Sequence, residues 1–317
     1  MDNKLGITFC DFWPELNMED NIFINCLRKI TQVQIDHEHP DLVFYSYYGN
    51  GHFKYRCPKI FYTGENIRPD YDACDFSLSF DYPVSEKNYR FPLYALYGDV
   101  HQLCFPKDPQ EILTSKTKFC NFVVSNPQGK ERNKFFNLLN KYKKVDSGGR
   151  FKNNIGHLVE DKNTFVRDYK FTLAFENSSF PGYTTEKIFQ PMMMHSLPIY
   201  WGNPLVGRDF NTKSFINIHD FPDFHAAIDH IIDVDNNDDL YLQYLNEPYF
   251  LNNEPNEFVK EENLTAFLAN IVKSLPTLHA VSSYRSHRLL GQWHYYQRKT
   301  FELTDFTIRN IRRILNS

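Results

Sequence analysis

No apolar segment of the sequence reaches about 20 residues, the length that a membrane-spanning helix needs. Blocks of positive charge are also scarce, since the longest is Lys141-Tyr142-Lys143-Lys144 and the formal net charge is −4. A chain without a basic patch is a poor partner for nucleic acid, and we therefore predict none. The first ten residues, MDNKLGITFC, lack the basic-then-apolar layout of a secretion signal. Together these absences predict a cytoplasmic protein.

Cysteine is sparse, and the patterns that could bind a metal are weak. The six cysteines at positions 10, 26, 57, 74, 104 and 120 form no C-x-x-C pair, so we expect reduced thiols. The D-x-D sequence at residues 233–235 falls in a predicted acidic loop at residues 233–239, and the DHEH sequence at residues 36–39 has no partner cluster. We predict a metal site from neither pattern.

Short apolar runs that alternate with amphipathic segments are typical of an α/β protein. Strands are predicted at residues 6–10, 33–35, 42–46, 59–63, 76–80, 118–126, 171–175, 197–201 and 215–218. Helices are predicted at residues 21–30, 130–142, 224–232, 264–273 and from 283 onward, with a turn at residues 146–150. The turn-rich sequence at residues 106–109 indicates a boundary. We therefore predict domains at residues 1–110 and 111–280, followed by C-terminal helices at residues 281–317 that pack back on the body.

One stretch, residues 169–204, carries a dense group of polar side chains directly after a predicted strand. A helix follows, with Thr184 or Thr185 as its N-cap, and then a second strand. The loop after a parallel strand lies at the carboxyl edge of the sheet, where α/β proteins bind nucleotides. The polar residues at this edge are Glu176, Asn177, Tyr183, Glu186 and Lys187. They predict a ligand that carries sugar hydroxyls and phosphates.

The motifs F-E-N-x(4)-G-Y-x-T-E-K-I at residues 175–188 and P-I-Y-W-G-N-P at residues 198–204 closely resemble the signature of the α-1,3/1,4-fucosyltransferases, especially the bacterial members. The resemblance implies a GT-B fold, in which two Rossmann-like domains face a cleft. It also implies an inverting transfer of L-fucose from GDP-β-L-fucose to the 3-hydroxyl, or the 4-hydroxyl, of N-acetylglucosamine. The implied acceptors are lactosamine-type glycans of the Lewis antigen class. No cofactor is implied, and a divalent metal would at most stimulate the reaction.

Two basic residues are expected to hold the donor diphosphate. Lys187 lies in the first turn of its helix, where an anion would offset the unfavourable interaction of a cation with the helix dipole. Arg132 lies in S-N-x(5)-R-N at residues 125–133, which is similar to a run in the family whose arginine contacts the diphosphate. A guanidinium can hold two phosphate oxygens at once. From the residues alone, each could instead be a solvated surface cation, and Ser125 and Asn126 are included as supporting residues.

The resemblance assigns contacts with the donor hydroxyls to Asn177, Tyr183 and Glu186. From the residues alone, Glu186 could simply be a negative charge that stabilises a helix N-terminus. Tyr183 could be a core residue, since the chain contains 20 tyrosines.

The expected general base is Glu65, in F-Y-T-G-E-N at residues 61–66, and this role too is implied by the resemblance. Glu176 is the rival base, although its position directly after a strand favours a buried role. Asn66 is a supporting residue. Phe12 and Trp13 follow the first strand and could stack on the acceptor sugar, but core packing is an equal alternative.

Three questions stay open at this level. A GT-B transferase with another nucleotide sugar, or a non-catalytic glycan-binding protein, would share much of the pattern. The segment at residues 304–315 bears Arg309, Arg312 and Arg313 beside an apolar face, so peripheral association with the inner face of the membrane is an alternative to docking on the protein body. The oligomeric state is also undetermined.

Overall fold

Two parallel sheets form the framework of the chain. Residues 4–315 are described in the computed structural model, except for the side chains of residues 309, 310 and 312–315, among which are those of Arg309, Arg312 and Arg313. The first sheet has the order β2-β1-β3-β4-β5-β6. Its strands are β1 Leu5–Cys10, β2 Val33–Ile35, β3 Leu42–Tyr45, β4 Lys59–Tyr62, β5 Phe76–Ser79 and β6 Asn88–Arg90. The second sheet has the order β11-β10-β9-β7-β8. Its strands are β7 Lys118–Phe122, β8 Val145–Ser147, β9 Tyr169–Phe175, β10 Leu197–Trp201 and β11 Ile216–Asn217.

The helices follow the strands at the spacing that parallel connections require. They are α1 Ile22–Arg28, α2 Pro109–Ser115, α3 Lys130–Tyr142, α4 Lys162–Arg167, α5 Glu186–Met193, α6 Phe224–Asn236, α7 Asp238–Asn246, α8 Glu261–Ser274 and α9 Arg285–Leu315. Several begin at the polar caps that the sequence contains. Asn21 accepts hydrogen bonds from the backbone at the start of α1, and Asp223 does the same for α6. Within the described part of the chain, no helix is long and apolar enough to cross a membrane.

The chain divides into two units whose boundaries differ from the predicted ones. The first unit holds the described residues up to Ser79, together with Pro83–Arg90 and the described residues from Glu261 onward. The second holds Phe80–Tyr82 and Phe91–Lys260. Residues 91–104 were predicted in the first unit but belong to the second, because Tyr94 and Leu103 pack in one buried cluster with Phe189 of α5.

At the other boundary, α8 joins the first unit because it packs on α1. The carboxylate of Glu261 lies 2.8 Å from Lys29 Nζ and 3.9 Å from Cys26 Sγ. The buried Leu264 and Leu268 on α8 supply the apolar side of this contact. The second unit therefore ends at Lys260, well before the predicted boundary at residue 280.

Two local predictions are wrong for physical reasons. Residues 233–239 are not an acidic loop, because α6 continues to Asn236 and α7 begins at Asp238. The helix persists because the carboxylate of Asp235 accepts hydrogen bonds from Tyr142 Oη and Lys143 Nζ, both at 3.0 Å. The predicted turn at residues 146–150 begins too early, because Asp146 and Ser147 pair with β7.

Candidate active site

The second unit places its polar loop at the end of a central strand. All seven residues of β9 are buried, and β9 lies between β10 and β7 in the sheet. A strand buried on both faces is mostly apolar, and in the run at residues 171–175 the one polar residue is Thr172. Thr185 caps α5, and its side chain accepts a hydrogen bond from the backbone N–H of Lys187. The N-cap that the sequence predicted as one of two threonines is therefore Thr185.

Gly182 fixes the shape of the loop between β9 and α5. Its φ of 86° lies in the left-handed region that favours glycine, and a Cβ at this position would lie 2.5 Å from the carbonyl oxygen of Phe80. Its N–H donates to Oδ1 of the buried Asn203, at 2.7 Å. The G-Y and G-N-P motifs are thus joined by a direct hydrogen bond.

Glu176 is fully buried and organises the start of α5. Its Oε1 accepts from the backbone N–H of Thr185, and its Oε2 accepts from the Thr185 hydroxyl, both at 2.7 Å. The same Oε2 lies 3.2 Å from Lys187 Nζ. A Cβ on Gly202 would lie 2.3 Å from Glu176 Cγ, so only glycine fits beside this carboxylate. Burial raises the pKa of Glu176, although Lys187 opposes the shift.

Lys187 is held near the helix N-terminus by several oxygen atoms. Its Nζ donates to Thr185 Oγ1 at 3.0 Å and lies 3.5 Å from Glu186 Oε1. The side chain is 19% exposed, so Lys187 is not a solvated surface cation. Burial raises the pKa of Glu186, but Lys187 and Lys162 outweigh burial, and this pKa lies below its ordinary value. Glu186 is therefore ionised beside the start of the helix.

Arg132, on α3, is buried with only 1% of its surface exposed. Its guanidinium donates to Asn177 Oδ1 at 2.9 Å, to the carbonyl oxygen of Asn126 at 2.7 Å, and to the carbonyl oxygen of Gln128. Nε has no hydrogen-bond partner, and among the residues whose side chains are described no carboxylate forms an ion pair with Arg132. Desolvation lowers the pKa of Arg132. Glu176 favours the charged form of Arg132 but does not outweigh desolvation, so this arrangement favours an anionic ligand.

Lys162, at the start of α4, is a cation that the sequence analysis missed. Its Nζ donates to Gln190 Oε1 at 2.6 Å. Burial lowers the pKa of Lys162, although Glu186 raises it. No motif marks this lysine, because its place in the site depends on how α4 packs against α5.

These side chains line one cavity of about 210 Å³. Its charged residues are Arg132, Lys162, Lys187 and Glu186, which gives three cations and one carboxylate. The lining also includes four polar residues, Ser125, Asn126, Thr172 and Asn177, and three apolar ones, Val123, Val124 and Leu173. The cavity is therefore positively charged, carries hydrogen-bonding groups, and suits a diphosphate joined to a sugar.

Tyr183 and Glu176 lie beside this cavity rather than in its lining. Tyr183 is 2% exposed, and its ring packs edge-on against Phe80 with centroids 5.3 Å apart. Tyr183 is close enough to affect the pKa of Arg132 electrostatically, which places the phenol near the guanidinium.

The remaining predicted residues belong to the first unit. Glu65 is half-buried just after β4, and its backbone N–H donates to Thr63 Oγ1 at 3.1 Å. Asn66 follows it, also half-buried. Burial raises the pKa of Tyr48, and the nearby Glu65 adds to this shift. Trp13 packs edge-on against Phe12 at 5.4 Å between centroids and contacts Tyr48 at 6.4 Å, so these rings form an aromatic group near Glu65.

Asp11 holds the loop that carries Phe12 and Trp13. Its carboxylate accepts from the backbone N–H groups of Gly51 and His52 at 2.9 Å and from His52 Nδ1 at 2.7 Å. Asp11 itself adopts a φ of 59°. This bond network is a second feature that the sequence did not reveal, since Asp11 and His52 are 41 residues apart.

Two family models match the chain. The N-terminal domain of α-(1,3)-fucosyltransferase FucT matches residues 7–97, and the C-terminal region of glycosyltransferase family 10 (fucosyltransferase) matches residues 113–293. The chain belongs to glycosyltransferase family 10. The resemblance that the motifs predicted is thereby confirmed.

Several relatives of this family 10 chain are known. The α-(1,3)-fucosyltransferase FucT of Helicobacter pylori is 35% identical over 69% of the chain and 53% of its own length. A putative fucosyltransferase of Acanthamoeba polyphaga mimivirus is 36% identical over 51% of the chain and 29% of its own length. The chain thus spans about half of the Helicobacter pylori relative and less of the viral one.

Solved structures of α-1,3-fucosyltransferase are also similar. One, in complex with GDP-fucose, is 30% identical, has a TM-score of 0.73, and aligns over 87% of this chain and 92% of its own. Another has a TM-score of 0.76 at 28% identity, over 89% of this chain and 92% of its own. The predicted α/β fold of GT-B type, with two Rossmann-like sheets, is confirmed for this family 10 chain.

Proposed function

We propose that the chain is an inverting α-1,3-fucosyltransferase that moves L-fucose from GDP-β-L-fucose to the 3-hydroxyl of N-acetylglucosamine in lactosamine-type glycans. The observation that carries the proposal is the buried guanidinium of Arg132, which has no carboxylate partner among the described side chains and faces a cationic cavity. The similar α-1,3-fucosyltransferase with GDP-fucose and the printed names of the relatives support the same donor and the same linkage.

The donor would bind with its diphosphate between Arg132 and Lys187. Both cations are preorganised, since Arg132 is fixed by Asn177 and by backbone carbonyls, and Lys187 by Glu176 and Thr185. Fixed charges that neutralise a departing diphosphate stabilise the transition state without reorganisation. Lys162 adds a third positive charge to the same cavity. A site that supplies three cations of its own has no need of a bound metal, and we propose a metal-independent transfer.

The sugar hydroxyls would contact Asn177 and Glu186. Asn177 and Glu186 both line the cavity, and an amide and a carboxylate can offer a donor and acceptors to these hydroxyls. Tyr183 would support the site without touching the sugar, because its buried ring holds the loop in place and its phenol lies near Arg132. Glu176 acts on Lys187 and Thr185 rather than on the substrate, which weakens its case as the base.

Glu65 is the proposed general base. Its carboxylate would take the proton of the acceptor 3-hydroxyl while that oxygen attacks the anomeric carbon of fucose. The bond between this carbon and the phosphate oxygen breaks, and GDP leaves with the electron pair. Attack from the face opposite the leaving group converts the β-linked donor into an α-linked product, as in inverting glycosidases that use one carboxylate as base. Phe12 and Trp13 are the proposed platform for the acceptor sugar.

The decisive experiment measures GDP release from GDP-fucose with and without N-acetyllactosamine, in buffer with EDTA. Wild type should release GDP only when the acceptor is present. Glu65→Gln should lower this rate by at least 100-fold, since a general base contributes about 10²- to 10⁴-fold. GDP affinity should persist in that variant. Glu38→Gln, at an exposed carboxylate of the same unit, is the matched control and should leave the rate unchanged.

Other outcomes would change the proposal. An unchanged rate in Glu65→Gln would move the role of base to another carboxylate, with Glu176 next in line. Acceptor binding without any GDP release would favour a non-catalytic glycan-binding protein. Release from a different nucleotide sugar in a donor panel would replace fucose as the transferred group.

A further inference from the structure

A group of metal-ligating side chains lies in the first unit, where α9 packs against the loop between β4 and β5. Nδ1 of His294 is 2.9 Å from Asp70 Oδ2 and 3.8 Å from Asp72 Oδ2. Nδ1 of His287 is 2.9 Å from the other oxygen of Asp72, Oδ1. The ligand atoms of Asp70, Asp72 and His294 all lie within 4.8 Å of one another. Two carboxylates and one imidazole therefore converge at one point, and His287 bonds to one of these carboxylates from outside the group.

The helix and the loop are built to meet at this point. His287 and His294 are seven residues apart on α9, so they lie on one face about two turns from each other. Gly291 lies between them, where a Cβ would be 3.0 Å from Ala73 Cβ and 3.2 Å from the carbonyl oxygen of Asp72. Glycine weakens a helix interior. Here it lets the loop backbone approach α9 closely enough for both aspartates to reach the imidazoles.

The loop side is also held in position. Asp70 Oδ1 accepts from the backbone N–H of Asp72 at 3.0 Å, which leaves Oδ2 directed at His294. Cys74 is buried in the same loop, and its Sγ donates to the carbonyl oxygen of Asp70 at 3.2 Å. This thiol is thus bonded to the loop backbone and lies outside the group of ligand atoms. The site thus offers oxygen and nitrogen atoms only.

We propose that Asp70, Asp72 and His294 bind a first-row divalent transition-metal ion, with Zn²⁺ bound most tightly among Mn²⁺, Co²⁺ and Zn²⁺. Metal–ligand bonds of about 2.0–2.2 Å place neighbouring ligands of a tetrahedral ion roughly 3.4 Å apart, and the observed separations of 2.9 Å and 3.8 Å bracket this value. Three protein ligands leave one position for water. The negative charges of the two carboxylates balance the two positive charges of the ion.

His287 is a supporting residue of the proposed site and is not itself a metal ligand. It bonds the Asp72 oxygen that does not face His294, and a partner of this kind orients a ligating carboxylate. The four side chains are 22–42% exposed, so an ion can enter from solvent and coordinate water. The bound ion would tie α9 to the 70–74 loop. This proposal does not rest on the proposed transferase activity, since its test is metal binding rather than turnover.

The test is Zn²⁺ binding to the whole chain, measured by isothermal titration after dialysis against EDTA and then against metal-free buffer. Wild type should bind one Zn²⁺ per chain, and its thermal unfolding midpoint should rise when Zn²⁺ is added. His294→Gln should weaken the binding by at least tenfold, because the amide is a poor ligand. This variant can still donate a hydrogen bond to Asp70, so the docking of α9 should persist. Asp72→Asn, the second variant, should show the same loss.

His279→Gln is the matched control, because His279 is exposed in the same unit and should not contribute to binding. Mg²⁺, which prefers oxygen ligands and dehydrates reluctantly, should bind much more weakly than Zn²⁺. Two results would overturn the proposal. One is wild type without stoichiometric Zn²⁺ binding, and the other is equal affinity in wild type, His294→Gln and Asp72→Asn. Either would mean that the Asp–His pairs serve only to dock α9.

Discussion

Replacing Arg132 with methionine should abolish most of the GDP affinity without destabilising the protein. The guanidinium is buried without a carboxylate partner among the described side chains, so its burial costs free energy that only a bound anion would recover. Two of the oxygens that it now bonds, the carbonyl oxygens of Asn126 and Gln128, belong to exposed residues. Water can therefore replace the guanidinium at these atoms.

The expected magnitude follows from the lost contacts. A guanidinium that holds a phosphate by charge-assisted hydrogen bonds contributes about 2–4 kcal/mol, which corresponds to roughly 30- to 1,000-fold in affinity. Arg132→Lys keeps the charge but lacks the planar fork, so it should lie between wild type and Arg132→Met. The thermal unfolding midpoint of Arg132→Met without ligand should equal or exceed that of wild type.

Two measurements on the same variants decide the matter. GDP affinity is measured by calorimetric titration, and stability by thermal unfolding without GDP. Arg150→Met, at an exposed arginine of the same unit, is the matched control and should change neither quantity. Wild-type GDP affinity in Arg132→Met would refute the reasoning. A marked fall in its unfolding midpoint would assign Arg132 a structural role instead.

Three further predictions concern the same unit. Glu176→Gln should lower the GDP affinity and also the stability, the latter by about 1–3 kcal/mol, because the amide cannot accept from Thr185 and Lys187 together. Glu160→Gln, at an exposed carboxylate, is the control and should change neither quantity. An unaltered unfolding midpoint in Glu176→Gln would argue against the role of Glu176 in holding the helix start. Lys162→Met should weaken GDP binding by roughly tenfold, because it removes one of three cations from the cavity. Lys141→Met, at an exposed lysine, is the control and should leave GDP binding unchanged. Equal affinities in both variants would place Lys162 outside the diphosphate site. Burial, together with Lys116 and Lys107, lowers the pKa of His195 from 6.5 to about 4. Between these two pH values His195 is protonated in the unfolded chain but neutral in the folded chain. The unfolding midpoint should therefore fall as the pH drops from about 6.5 to about 4. His195→Asn tolerates the φ of 51° and should flatten this dependence, and an identical pH profile in the variant would count against it.

Local elements were predictable where one segment carries its own signal. Helix α3 has the predicted bounds at residues 130–142, because Lys130–Tyr142 presents a clear apolar face of Phe135, Phe136 and Leu139. The β9–α5–β10 unit follows from a mostly apolar strand, a threonine cap and a second apolar strand. These patterns depend on contacts between near neighbours in the chain.

Features that depend on distant contacts were not predictable. The sequence left open whether Arg132 is exposed, and only its bond to Asn177, 45 residues later, shows why it is buried. Lys162 is held in the site by a hydrogen bond to Gln190, 28 residues away. In the helical segment at residues 233–236, Asp235 accepts a hydrogen bond from Tyr142 and pairs with Lys143, both more than 90 residues earlier. The Asp–His group joins residues 224 positions apart.

The domain boundaries illustrate the same limit. A turn-rich sequence at residues 106–109 is a local signal, but residues 91–104 belong with α5 because Tyr94 and Leu103 are buried beside Phe189. The return of the chain to the first unit at Glu261 depends on the pairing of α8 with α1. Neither boundary is encoded by the turn residues themselves.

The most direct test of the account is the structure of the product. The wild-type chain would be incubated with GDP-fucose and N-acetyllactosamine in the presence of EDTA, and the purified oligosaccharide examined by proton NMR. The account predicts a trisaccharide with fucose in α-linkage at O3 of N-acetylglucosamine, formed without a metal. A β-linked product would contradict the inverting mechanism. No fucosylated product, together with turnover of a different nucleotide sugar, would contradict the assignment of the donor.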